Sequence, residues 1–477
     1  MDKNLILFDF SDDVIARMRE EQSIPIDFYN RKGQKLVYKK ESANEHEIDQ
    51  LLKFKTQGIY YNIRDEARLG RNTVREEEVP TEEGLSNKKL FSREEIDDFK
   101  AGTVELFDNL EKGAVDSIFA QKTRERVGNV FENFRSQDDM KNGLVNILEL
   151  IKSDDPLSFN AELAVKKTVV AMAMKTRGLN AQNAREESKI QAMVMTTMMS
   201  ALFSDIGKMR MNIPTHSDLS EQEFAYLRRY PLMSYLMIAH EPTIDPMVKR
   251  NILCQRCPLP DDSIGNNYPP KKWLITNFNG MLEKHKNNPN LLRSLLEQIQ
   301  LINRPVTFDE DANILALSSE YASLTSKVQW RDAFSSKRAI QMIINNSIFT
   351  YTARIMREFL DYISMSLNEN QRILDDGDFV VLAIQSTKGY MYEIAKITRV
   401  SKFQSIPDVI KVADINMDIV EKAGKKILMS PRVENMKTSV RRGEYILQKD
   451  QSRRLAYAID SEYDPEIYET LSNLKGV

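Results

Sequence analysis

The stretch that decides the fold is Ala201–Ile238, which opens ALFSDIGKMRMNIP at residues 201–214 and resumes LSEQEFAYLRRYPLMSYLMI at residues 219–238. Apolar side chains recur every three or four positions through Ile190–Phe203, so a helix is predicted to run up to Ser204 and Asp205. Ser220 with Glu223 has the spacing of a capping box, which starts the next helix. Between the two lies a polar loop, PTHSD.

Working outward, the same periodicity marks Val104–Phe131, Leu144–Ile151 and Ala164–Met174, and Ser92 with Glu95 repeats the capping-box spacing. Residues 91–374 are therefore predicted to form a helical domain. The methionines of MVMTTMMSALF at 193–203 read as core packing rather than an adaptable binding surface, because flexible thioethers fill irregular gaps between helices. The apolar run Val169–Met174 is bounded by Lys166, Lys167 and Lys175, as expected of a short packed helix.

Both flanks differ from this middle. Residues 1–70 read as a small α/β module, with strand-like runs IDFYN and KLVYKK joined by RKGQ, helical periodicity over Glu45–Phe54, and the short strand GIYYNI. Residues 71–90 (with VREEEVPTEEGLSNKK) lack apolar periodicity and read as a linker. After Leu374 the runs DDGDFVVLAI, YMYEIAKITRV and DVIKVADI are β-branched and aromatic, so 375–477 is read as a β-rich C-terminal domain that closes on a short helix.

Counts bound the chemistry. The chain has 477 residues, enough for about three domains at roughly 150 residues each. Its 67 basic and 70 acidic residues leave a net charge of -3, so a bulk grip on nucleic acid or an anionic membrane is not indicated. No stretch approaches the roughly 20 apolar residues that span a bilayer, and no signal-peptide pattern opens the chain, so a cytoplasmic location is expected. Cys254 and Cys257 read as ordinary thiols, and two Cys exclude a disulfide scaffold. Only four His occur: His46, His216, His240 and His285.

The Ala201–Ile238 stretch resembles the HD-GYP branch of the HD phosphohydrolases. That family has HDIGK at a helix end, then a capped helix, then a K/R-H-P segment. Asp205-Ile206-Gly207-Lys208 stands intact here, with Ser204 at the first His position; Arg229-Tyr230-Pro231 matches the later segment, with Tyr230 replacing its His. Upstream, Asp154-Asp155-Pro156-Leu157-Ser158 resembles the entry to the first metal-binding helix, whose His falls at Ala161 or Glu162. Downstream, ILCQRC followed by GNNYPP is similar to HHE…DGSGYP. Gln255 and Arg256 stand at the paired His, and only Asn267-Tyr268-Pro269 remains of GYP. Further on, Leu324-Thr325-Ser326, Arg331 and Ala333 match the last motif, while Ser319 and Ala322 replace its two Asp. The resemblance covers roughly residues 140–370, interrupted by a helical insertion near 275–303. It implies a mainly α, HD-superfamily helical bundle, flanked here by the small α/β module and the β-rich domain.

The resemblance also implies clustered iron or manganese, whose bound water attacks a phosphodiester. Each His that the motif requires is replaced in this chain, and so is the late Asp ligand. No metal ligand and no catalytic residue are therefore assigned, and no cofactor is expected. Asp205 is left to find a cation, and Lys208 at i,i+3 is the candidate. Phosphate binding is the remaining option: Lys208 and Arg331 keep the family's phosphate positions and Val328 replaces its other Arg. Arg228, Arg229 and Arg256 add charge, and Trp330 or Tyr268 offers a ring for a base. The same cations are alternatively structural partners of Asp332 and Glu223.

Two functions follow. One is a catalytically inactive regulatory or scaffold protein, linked through the family to cyclic di-GMP signalling or motility and acting through protein partners, with cyclic di-GMP itself as the ligand to consider. The alternative is a metal-dependent cyclic di-GMP phosphodiesterase with an atypical iron or manganese site built from Asp205, Glu162, His216 and His240. The C-terminal domain lacks the D/N-x-S-x-x-G pattern of PilZ-type receptors, and Arg441-Arg442 and Arg453-Arg454 are read as solvated surface charge. Oligomeric state is not readable from the sequence.

Overall fold

The computed structural model describes residues 5–7, 18–20, 22–30, 34–40, 42–44, 47–49, 59–62, 93–112, 115–135, 159–177, 179, 183–211, 220–260, 266–327, 331–366, 373–386, 389–401, 404–422, 425–438, 443–447, 449–450 and 452–474. His46, His216, Val328, Trp330, Arg441, Arg442 and the segments Leu144–Ile151 and Asp154–Ser158 lie outside them, as do the whole predicted linker 71–90 and Ser92 of the first capping box. The chain divides into two compact units, Met1–Leu85 and Ser86–Val477.

The first unit is a four-stranded antiparallel sheet of β1 (Leu5–Leu7), β2 (Phe28–Tyr29), β3 (Lys35–Val37) and β4 (Tyr60–Asn62), in the order β1-β4-β2-β3. Its core is Ile24, Ile26, Phe28, Ile48, Ile59 and Tyr61. Both predicted hairpin runs supply strands.

The second unit opens with α1 (Arg93–Lys112) and α2 (Ser117–Arg135), then α3 (Phe159–Thr176) and α4 (Ala184–Phe203). Every residue from Ala161 to Lys175 is buried, which makes α3 the central helix rather than a surface one. It packs against α1, α4 and, further along, α10. The lysines that bound its apolar run are therefore inside the bundle. Within α4, Val194, Met198, Met199 and Ala201–Phe203 join this core, as the methionine pattern predicts.

A 3-10 turn at Ile206–Arg210 leads on to α5 (Glu221–Leu227), α6 (Tyr230–Ile238) and α7 (Pro246–Cys254). The capping box of Ser220 and Glu223 is formed in both directions. Next come α8 (Lys271–Lys284) and α9 (Pro289–Asn303), which cover the residues read from sequence as an insertion near 275–303. The last helices before the sheet are α10 (Glu310–Leu324), α11 (Ser336–Asn346) and α12 (Ala353–Ser366).

The β-rich part is an antiparallel sheet of β5 (Phe379–Ser386), β6 (Gly389–Ser401), β7 (Gln404–Ile415), β10 (Met436–Thr438) and β12 (Arg453–Ile459), ordered β10-β7-β6-β5-β12. Strand β11 (Glu444–Ile446) also pairs with β7, while β8 (Ile419–Lys422) and β9 (Lys425–Leu428) form a separate hairpin. Helix α13 (Pro465–Ser472) closes the chain. Val380, Leu382, Ala395, Ile397 and Val409 belong to the same apolar core as the bundle helices. The sheet and bundle thus lie within one compact unit and share part of its core. Arg453 and Arg454 are also not solvated. Arg453 bonds Glu393 and Asp450 and stacks 3.7 Å over Tyr445, and Arg454 donates to the Tyr351 carbonyl. Amphipathic guanidiniums on a sheet that faces helices find such partners. No helix among the described residues is long and apolar enough to cross a membrane.

Candidate functional site

Three of the motif positions converge on one buried amine. Lys167 Nζ donates to Ser204 Oγ and, at 3.0 Å, to Gln255 Oε1, and lies 3.4 Å from Asp205 Oδ2. Lys167, Ser204 and Gln255 are fully enclosed, and Asp205 is 7% exposed. An ammonium has three protons, and here three oxygens from two segments, two adjacent residues at one helix end and one at another, receive them. Those oxygens come from the end of α4, the residue after it, and the C-cap of α7, where the resemblance implies metal ligands.

Secondary contacts lock the arrangement. Gln255 Nε2 donates to the Ser204 carbonyl at 2.7 Å, which fixes its amide so that Oε1 faces the lysine. Ser204 Oγ donates to the Ala201 carbonyl at 2.6 Å. Ser234 on α6 donates to the Ser204 carbonyl at 2.7 Å and accepts from the Gly207 amide at 2.9 Å. A Cβ on Gly207 would stand 2.3 Å from the Ser234 nitrogen and 2.5 Å from the Tyr230 carbonyl, so only glycine lets α6 approach this closely.

Lys208 Nζ reaches 3.2 Å from Asp205 Oδ1, the i,i+3 pairing expected from sequence, although that oxygen receives no well-directed hydrogen bond. Burial works to raise the Asp205 pKa. The charges of Lys167, Lys208 and Arg256 outweigh it and hold the carboxyl well below the usual range. Lys167 moves the other way. Burial pushes it down to about 7 against the attraction of Asp205, with Arg256 and Lys208 adding repulsion. The neighbouring Lys166 forms its own buried cluster, donating to Glu162 Oε1 at 2.8 Å, Ser326 Oγ at 2.9 Å and the Thr325 carbonyl at 3.1 Å.

Arg256 fills the opposite side. It donates to Tyr230 Oη at 3.0 Å, Ser319 Oγ at 2.7 Å and the Ala316 carbonyl at 3.3 Å. Two replaced ligand positions, Tyr230 and Ser319, are thereby joined by one guanidinium. Tyr268 meets Tyr230 edge-on at 6.5 Å, and Lys208 lies 4.6 Å over the Tyr230 ring.

The remaining candidates are placed elsewhere or differently used. Arg331 donates to the carbonyls of Ser323 and Leu324, at the end of α10, and of Asp332, and stacks 4.4 Å over Phe334. Arg229 is exposed at the start of α6, and Ala161 is packed inside α3. His240 follows α6 and His285 caps α8. Sequence reasoning missed Lys167 itself. Its signal was present: two consecutive lysines inside a helix whose apolar residues run on either side of them, a few residues past the place where the resemblance implies a His.

The clustered iron or manganese that the resemblance implies does not fit these residues. The enclosed position offers one carboxylate, one hydroxyl and one amide oxygen, all turned toward an ammonium that would repel a metal ion. Among the described residues no three His, Cys, Asp or Glu side chains gather as a metal site needs.

No protein-family model and no curated protein matches this chain. A solved structure, an HDG"Y"P protein from Bdellovibrio bacteriovorus, aligns with 75% of this chain and 99% of its own, at 11% identity and a TM-score of 0.38. At that identity and score the match bears on nothing beyond a broad likeness of fold, and no residue role is taken from it.

Proposed function

We propose that this chain is a catalytically inactive HD-GYP-like regulatory or scaffold protein that acts through protein contacts, in the setting of cyclic di-GMP signalling or motility that its motifs imply. The observation that carries the reading is Lys167. Its buried amine contacts the side-chain oxygens at three positions where the resemblance implies metal ligands, and it does so from the central helix. Hydrolysis of a phosphodiester needs an activated water and open coordination positions, and a tethered ammonium supplies neither. The retained Asp205, Gly207 and Lys208 have work in the fold that explains their presence without catalysis. Gly207 admits α6, and Asp205 neutralises two lysines.

The test is metal content together with turnover. The purified chain is expected to hold far less than one iron or manganese per molecule and to leave cyclic di-GMP intact with either metal added. Stoichiometric metal with hydrolysis that Asp205→Ala abolishes would establish the phosphodiesterase reading instead.

A further inference from the structure

A groove of about 360 Å³ lies between α1 and α2. Sites that take small molecules have volumes of roughly 300–1,000 Å³. None of the lining residues belongs to the motif segments or to the Lys167 cluster. The buried part of the lining is apolar: Leu110 and Val115 are each 1% exposed, and Phe119 packs against the bundle core. The lining also includes Ile118, which is 67% exposed, so the groove opens to solvent.

Cross-links hold this shape. Arg126 on α2 reaches back to α1, donating to the Gly102 carbonyl at 2.9 Å and to Glu105 Oε2 at 2.6 Å. Arg210, in the 3-10 turn after α4, donates to the Leu110 carbonyl at 2.8 Å. Asp116 caps α2, accepting from the Phe119 amide at 2.8 Å. A groove tied in these ways exists before a ligand arrives, which lowers the cost of binding.

Two polar side chains of the lining are left over. Among the described residues, neither Lys122 nor Asn109 has a hydrogen-bond or ion-pair partner. Lys122 stands near enough to Glu105 to help hold that carboxyl below its usual pKa range, but the hydrogen bond and charge of Arg126 do most of this and occupy Glu105. An ammonium and an amide beside an apolar surface suit an oxyanion attached to an apolar body. Glu105 and Asp116, in the same lining, repel an anion of more than one charge, so a carboxylate fits better than a phosphate.

We propose that the groove between α1 and α2 binds a small amphipathic carboxylic acid, with its carboxylate on Lys122 and Asn109 and its apolar body along Leu110, Val115 and Phe119. An aliphatic acid and an apolar amino acid share this chemistry, and the second adds an ammonium for which Asp116 is the partner. The site goes beyond the regulatory reading and does not rest on it, because metal content and turnover neither support nor remove it.

The experiment titrates the full chain with hexanoate, norleucine, hexanol and inorganic phosphate at fixed ionic strength, reading calorimetric heat and thermal stability. Lys122→Met, Lys122→Arg and Lys189→Met, an exposed charge control on α4, are compared with the parent. Hexanoate or norleucine should bind the parent saturably, at one per chain. Hexanol, which keeps the apolar body without the charge, should bind about tenfold or more weakly, and Lys122→Met should lose a similar factor for the carboxylates. Lys122→Arg should keep most of the affinity, and Lys189→Met should bind like the parent. Without ligand, Lys122→Met should melt with the parent, since no partner is lost. Tighter binding of hexanoate identifies an aliphatic acid, and tighter binding of norleucine an amino acid; either upholds the site. Absence of saturable binding of both at high excess overturns it, as does unchanged carboxylate binding by Lys122→Met. Hexanol or phosphate binding as tightly as hexanoate and norleucine also overturns it, by removing the reason for a carboxylate.

Discussion

Lys167 Nζ and Gln255 Oε1 are joined by a 3.0 Å hydrogen bond inside the bundle, and the other end of the same amide holds the Ser204 carbonyl. Gln255 therefore ties the central helix α3 to the end of α4 with both of its polar atoms. A neutral amide suits this place because it accepts from a cation on one side and donates to the backbone on the other. The ammonium, not the amide, carries the charge that balances Asp205.

Removing that ammonium should be costly. Lys167→Met leaves the buried Asp205 carboxylate with only the off-axis contact to Lys208, and breaking one side of a buried pair costs about 3–5 kcal/mol. Adding Asp205→Asn to Lys167→Met should return part of the loss. Urea unfolding of the two single variants and the double variant measures the coupling, expected at about 1–3 kcal/mol. Losses that simply add would mean that the two charges do not act as a pair.

The same lysine gives a pH signature. Its pKa falls to about 7 in the folded chain, against about 10.4 when unfolded. Between those values the unfolded chain binds more protons, so this group makes stability rise with pH from about 7 to 10.4 and flatten outside that window. Stability of the parent minus that of Lys167→Met should therefore increase across that range, by an amount on the order of a few kcal/mol. Chemical denaturation at half-unit pH steps tests it. A difference that stays constant from pH 7 to 10 contradicts the depressed pKa of Lys167.

Much of this was legible in the sequence, and the reasons for the gaps are physical. Helical spacing located α4, and the Ser220–Glu223 box located the start of α5, because both signals are local. Asp205–Lys208 was legible for the same reason, being one helical turn apart. Lys167 was not, since its partners stand 37, 38 and 88 residues away and nothing local distinguishes a buried lysine from one that snorkels to the surface. The joint core of bundle and sheet escaped likewise. A change from helical to alternating periodicity marks a change of secondary structure, and whether the new face packs on the old one depends on long-range contacts.

Gly207 offers a test of the backbone rather than the charges. An added methyl would overlap the backbone at Ser234 and Tyr230, neither of them a flexible side-chain end. Gly207→Ala should therefore push α6 away from the turn, break the Ser234 bridge to the Ser204 carbonyl, and destabilise by about 1–3 kcal/mol or more. Thermal unfolding and hydrogen exchange at the Gly207 amide report the two effects. Normal stability in this variant would show that the close approach of α6 is not required.

Arg331 is placed as a structural arginine. Its guanidinium satisfies the carbonyls of Ser323 and Leu324, which a helix end leaves without intrahelical partners. Arg331→Gln should lower unfolding free energy by about 1–3 kcal/mol. Arg331→Lys should recover little of it, since one ammonium cannot span the carbonyls that a planar fork reaches. Unchanged unfolding of Arg331→Gln would show that the end of α10 does not depend on this guanidinium.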